Sequence, residues 1–105
     1  FDQAQLRKGT LEGCILKIID WADHGYAIAT TLRDSGFADL TEGTLYPLLL
    51  RLERKGLIAA ETARVPRAGR KYYRLTPRVQ YLNEFTEAWQ NASDIVNRIL
   101  HDKEG

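Results

Sequence analysis

The stretch Thr41 to Ile58, TEGTLYPLLLRLERKGLI, decides how the rest of the chain is read. It opens on a helix start. Thr41 can cap free N–H groups, and Glu42 sets a negative charge at the positive end of the helix dipole. Leu45, Leu48, Leu49 and Leu52 recur at i, i+3, i+4 and i+7, the pattern of a helix with one buried face. Thr44, Tyr46, Pro47 and Arg51 fall on or beside the opposite face. Gly56 stops the helix as an αL cap would, and a strand-like Leu57-Ile58 follows. Pro47 lies in the second turn, where it removes one hydrogen bond and presses on the carbonyl of Gly43. The first turn is therefore expected to bend and to push Thr44 and Tyr46 toward whatever the helix faces. A plain core helix gains nothing from this, whereas a helix offering its N-terminal end to a groove does.

Two blocks of sequence carry a family resemblance. Gly43-Thr44-Leu45-Tyr46-Pro47, Arg51-Leu52-Glu53 and Gly56-Leu57-Ile58 form the first, and Gly69-Arg70-Lys71-Tyr72-Tyr73-Arg74-Leu75-Thr76 the second. In order and spacing they resemble the signature of PadR-type transcriptional regulators, over roughly Leu6 to Thr76. The resemblance implies a winged helix-turn-helix repressor working as a dimer. The expected fold is mainly α (α+β), with a DNA-binding unit over 1–76 and a long C-terminal dimerisation helix over 77–105.

At 105 residues the chain is one domain by length, and a core this small often relies on a partner. The single cysteine permits no intrachain disulfide, which suits a reducing cytoplasm. No apolar run approaches the ~18 residues of a membrane span. No signal peptide is visible, and the chain starts at Phe1 without a methionine. The net charge of +1 does not announce nucleic acid, but its distribution does. Residues 51–80 hold nine arginines and lysines against Glu53 and Glu61, while the remainder is acidic. A basic block inside an acidic chain is an electrostatic footprint for DNA; a solvated basic hairpin is the plainer alternative.

Phe1 to Lys8 reads as a short helical arm or a disordered lead. Gly9-Thr10 marks a break, with Thr10 as N-cap and Glu12 in the first turn of a helix over about Leu11 to Ala22. Leu11, Cys14, Ile15, Leu16, Ile18, Ile19, Trp21 and Ala22 cover an arc of roughly 220° at about 100° per residue. That width asks for two apolar partners, and a dimer contact would supply the second. Cys14 is a small core residue rather than a redox sensor. Asp23-His24-Gly25 is a turn, Tyr26 to Asp34 a second helix, and Ser35-Gly36 its end. Tyr26, in the first helical turn, can donate to a DNA phosphate. His24 is structural.

Ile58 to Val65 and Arg70 to Thr76 read as two strands joined by Pro66-Arg67-Ala68-Gly69, a wing. Arg64, Arg67, Arg70 and Lys71 crowd its tip, where a wing meets the sugar-phosphate backbone or the minor groove. The base readers on the recognition helix are Thr41, Thr44, Tyr46 and Arg51; hydroxyls read loosely, and arginine prefers guanine. Double-stranded DNA with a pseudo-palindromic operator is the expected partner.

Thr76-Pro77 starts the last helix, which would run to Asp102 over about 39 Å. Leu82, Phe85, Trp89, Ala92, Val96 and Ile99 alternate at spacings of three and four, a heptad seam for a second copy of the chain. Dimerisation is assigned to Leu82, Phe85, Trp89, Val96 and Ile99. Tyr81, Ala88 and Ile95 form a row beside it. The segment resembles the C-terminal helix of the smaller PadR-type regulators, some of which bind planar drugs between paired tryptophans. That resemblance implies an effector site at Trp89, and the small Ala92 one turn on leaves volume there. The simpler alternative is that Trp89 fills the dimer core. A second functional class, a winged-helix adaptor that meets an acidic protein without binding DNA, is disfavoured by Thr44-Leu45-Tyr46-Pro47. There is no Cys/His metal spacing, no phosphate-cradling glycine loop and no nucleophile–base pair, so neither an enzyme nor a cofactor is expected.

Overall fold

The computed structural model describes residues 3–62, 71–77 and 80–101. Four helices and a two-stranded sheet follow in the order α1 (Gln3–Ile18), α2 (Gly25–Ser35), α3 (Glu42–Arg54), β1 (Ile58–Thr62), β2 (Lys71–Leu75) and α4 (Gln80–His101). The strands pair antiparallel, with Ile58 opposite Leu75 and Ala60 opposite Tyr73. The result is mainly helical, with the small sheet and C-terminal helix of a winged helix-turn-helix.

α1 is the hub, in contact with α2, α3 and α4. Leu11, Ile15, Leu16, Ile18, Ile19 and Ala22 are all buried. Most of the wide apolar arc is thus covered within one chain, and its width alone no longer argues for a dimer contact. Trp21, beyond the helix end, is exposed.

α1 also starts earlier than Thr10. The helix passes through Gly9, where an added Cβ would meet nothing, and the Thr10 hydroxyl donates to the Arg7 carbonyl at 2.9 Å instead of capping. A serine or threonine inside a helix satisfies itself this way. The extra turns are held from outside: Arg7 pairs with Asp39 at 2.7 Å and lies over the Phe37 ring at 5.5 Å. Of the two readings for the N-terminal segment, the helical arm is the one observed.

α3 follows its sequence closely. Thr41 accepts from the Thr44 N–H at 3.2 Å, as an N-cap does. Leu45, Leu49 and Leu52 are buried, and Leu48 half-buried. At the far end Gly56 takes φ +75°, and the Leu57 N–H reaches the Leu52 carbonyl at 3.0 Å, closing a Schellman turn. The helix is unbroken from Glu42 to Arg54 with Pro47 inside it.

α2 begins one residue before Tyr26, because His24 is its N-cap: Nδ1 accepts from the Ala27 N–H at 3.4 Å. β2 is tied back to this corner. The Tyr73 N–H donates to the Asp23 carbonyl at 2.7 Å, and the His24 and Tyr72 rings meet edge-on at 5.8 Å. The wing is thereby fixed to the start of α2. The readings placed on residues 63–70, including the wing tip, lie outside the described residues.

α4 has no buried residue along its 22-residue length. Its first half rests on α1: a Cβ on Gly13 would overlap the Phe85 ring, and Leu82 packs on the core. Its second half exposes Ile95, Val96, Ile99 and Leu100. The Cα radius of gyration, 15.9 Å, exceeds the ~13 Å of a compact domain of about 100 residues. No helix among the described residues is long and apolar enough to cross a membrane.

Candidate nucleic-acid interface

At about 100° per residue, α3 divides into a buried stripe, an exposed outer edge and two partly exposed flanks. Opposite Leu45, Leu49 and Leu52 lie Gly43, Pro47, Leu50 and Arg54, all exposed. Thr44, Leu48, Arg51 and Lys55 form the flank toward α1. Tyr46 and Glu53 form the flank toward α2 and the wing.

Thr41 and Thr44 stand exposed at the N-terminus, their hydroxyls 3.2 Å apart. One oxygen of this pair can donate outward while the other accepts, which suits groove edges that offer both kinds of partner. Glu42 beside them strengthens the cap but repels phosphate. The contacts at this end are therefore suited to bases more than to backbone.

Tyr46 is exposed, yet its hydroxyl rests against α2. A Cβ on Gly25 would come within 2.6 Å of that oxygen. Gly25 is the first residue of α2, and Tyr26, beside it, is exposed. The structure thus brings Tyr26 and Tyr46 to one corner, where the N-terminus of α2 adds its positive dipole end. Tyr73, behind them, is buried; burial, with the Glu53 and Tyr46 charges nearby, pushes its phenol up. It serves as a packing residue and not as a titrating one.

Arg51 is the predicted site residue with a different engagement. Its Nε lies 3.3 Å from Glu12 Oε1, and Lys55 Nζ lies 3.3 Å from Glu12 Oε2. The guanidinium is turned toward α1 rather than outward. Glu12, read as a first-turn charge because the helix was expected to start at Thr10, sits mid-helix and buried. Sequence reading missed it for that reason. It also missed Arg54 and Leu50 on the outermost edge. Their signal was available in their spacing of three and seven from Pro47. Arg54 makes no ion pair among the described residues.

On the wing, Lys71 opens β2 and is exposed, while Arg74 pairs with Glu61 at 3.2 Å on the outer face. Arg67 and Arg70 lie outside the described residues.

A separate apolar groove of about 270 Å³ runs between α1 and α4, lined by Leu6, Arg7, Thr10, Cys14, Phe37, Phe85 and Trp89. Ala92 is exposed on the same helix edge as Trp89 but is not part of these walls. Burial pushes the Cys14 thiol up, which lowers its thiolate fraction and fits a packing role. No group of three or more His, Cys, Asp or Glu able to hold a metal occurs among the described residues.

The chain matches the description Transcriptional regulator PadR-like family over residues 15–80. It is similar to a PadR-like transcriptional regulator from Bacillus cereus, with 38% identity over 94% of this chain and 99% of that one, at a TM-score of 0.82. A PadR family transcriptional regulator from Eggerthella lenta gives 36% identity, 94% and 88% coverage, and a TM-score of 0.83. An uncharacterized protein of Lysinibacillus sphaericus is 32% identical over 107 residues, 97% of this chain and 98% of its own. The chain belongs to the PadR-like family of transcriptional regulators, and it is a DNA-binding regulator rather than an enzyme.

Proposed function

We propose that the protein is a dimeric repressor whose α3 reads a pseudo-palindromic operator. Residues 1–76 act as the DNA-binding unit and 77–105 as the dimerisation helix. The observation that carries this reading is the corner where the N-cap Thr41 and Thr44, Tyr46 and Pro47 of α3 stand exposed beside Tyr26 on α2. In a helix-turn-helix, that end of the second helix enters the major groove. Thr41 and Thr44 contact base edges, Pro47 and the newly recognised Leu50 offer apolar surface to thymine methyls, and Tyr26 and Tyr46 hold phosphate. Lys71, with Arg67 and Arg70 of the wing and Arg54 on α3, supplies the positive charge. Arg51, assigned to base reading from its position, is better placed to hold Glu12.

Dimerisation rests on Trp89, Val96 and Ile99, which one chain leaves exposed. Leu82 and Phe85 lie at the start of the same seam but already pack within their own chain, so they support α4 more than they meet a partner. The regulator is released by a planar aromatic effector bound at the Trp89 groove, next to Ala92. The groove's apolar lining, with Phe37, Phe85 and Trp89 as flat faces, supports that choice of ligand.

The test is selection of duplexes from a random pool, followed by salt titration. With three or four phosphates neutralised per chain, log K should fall against log salt with a slope of about −6 for a dimer. Thr44→Ala should erode discrimination more than affinity. The same titration with planar aromatic compounds should show release. Equal affinity for selected and mixed-sequence DNA overturns the reading; saturable release by no compound removes the effector from it.

A further inference from the structure

We propose that Glu12 sets what the recognition helix presents to DNA, by holding Arg51 and Lys55 away from the phosphates. The inference rests on the DNA-reading role of α3 proposed above. Glu12 is the one buried charged side chain among the described residues, 7% exposed at its side chain. Each of its oxygens holds a different cation at 3.3 Å. Arg51 and Lys55 are one turn apart on the flank that also carries Thr44, so both belong to the edge next to the reading surface. Their side chains are 51% and 37% exposed. Their heads thus stand at the solvent boundary, able to swing outward once released.

Physical chemistry fixes which partner wins. A buried carboxylate left unpaired is more costly than a lost contact at a solvated phosphate, because no water replaces its partners. The two cations therefore stay with Glu12 when DNA arrives. A freed Arg51 would place a guanine-preferring fork and a non-specific phosphate contact on the reading helix. Held back, it leaves Arg54 as the α3 cation without an ion pair among the described residues, and discrimination falls to hydroxyl and apolar groups at the N-terminal end. Glu12 is a positioning residue, and specificity is what it protects.

The experiment compares the full chain with Glu12→Gln on a selected duplex and on mixed-sequence genomic DNA across a salt series. Glutamine keeps the shape and removes the charge. If one cation per chain then reaches a phosphate, the slope steepens by about 2 for two chains. Affinity for mixed-sequence DNA near 0.1 M salt rises by about ten- to a hundredfold, and the preference for the selected duplex falls. The triple variant Glu12→Gln, Arg51→Gln, Lys55→Gln returns to the parent slope. A carboxylate with only a structural role would lower the melting temperature and leave the slope of Glu12→Gln unchanged, which overturns the inference. If Glu12→Gln does not fold, the double variant Glu12→Gln, Arg51→Gln is compared with the triple variant: a steeper slope in the double variant, from the freed Lys55, supports the inference, and equal slopes overturn it. A parent with no sequence preference overturns the reading of α3 itself, which is a different result from an unchanged slope in a parent that discriminates.

Discussion

α3 and α4 carry similar apolar stripes and meet opposite fates. In α3 the stripe of Leu45, Leu49 and Leu52 is at most 1% exposed. In α4 the strongly periodic stripe has no fully buried residue, and Ile99 is 69% exposed. Periodicity states that a face will be covered, and it is silent on what covers it. For α3 the cover is α1 and α2 of the same chain. For the first half of α4 it is α1, through Gly13 and Phe85. For the second half one chain has nothing to offer, and the proposal of a second copy follows from that deficit.

Substitutions on the two helices should therefore differ in size. The largest effect is expected for Leu49→Ala, which opens a cavity in the completed core. A loss of about 2–5 kcal/mol is expected, seen as a melting temperature lower by roughly ten degrees or more. A change of a degree or two would mean that α3 is not seated as described. Gly13→Ala should be intermediate, and its sign is informative. Replacing glycine inside a helix gains up to about 1 kcal/mol of propensity, but the new Cβ would overlap the Phe85 ring. Overpacking against a rigid ring costs about 1–3 kcal/mol. The clash wins, so calorimetry should record a lower melting temperature, and in a Trp21→Phe background, which leaves Trp89 as the one tryptophan, the emission should shift. A higher melting temperature would show that α4 does not rest on α1 here.

How much was legible in the sequence follows the same division. The α3 caps, the leucine stripe, the Gly56 stop and the two strands are set by residues a few positions apart, so local pattern sufficed. Thr10 misled because capping is also a local pattern, and here the Arg7 contacts with Asp39 and Phe37 outweigh it. The candidate site was legible only as exposure, at Tyr26, Thr41, Thr44 and Tyr46, which follows from their helical positions. It was not legible at Glu12 and Arg51, because their pairing spans 39 positions of sequence and depends on how α1 lies across α3. An acidic residue in an apolar arc was the signal, hidden by placing the helix start beside it. The arc of α1 misled for a related reason: a hub helix is apolar on several sides without needing another chain.

The smallest effect on folding, and the most direct test of the contrast between a core completed within the chain and a helix face left open, belongs to Ile99→Asp. Sedimentation of the parent at micromolar concentration should give about twice the chain mass of 12.0 kDa. The variant should give a single chain, with a folded-state stability within about 0.5 kcal/mol of a parent diluted to monomer. A parent that sediments as one 12.0 kDa chain and still melts cooperatively would contradict the account.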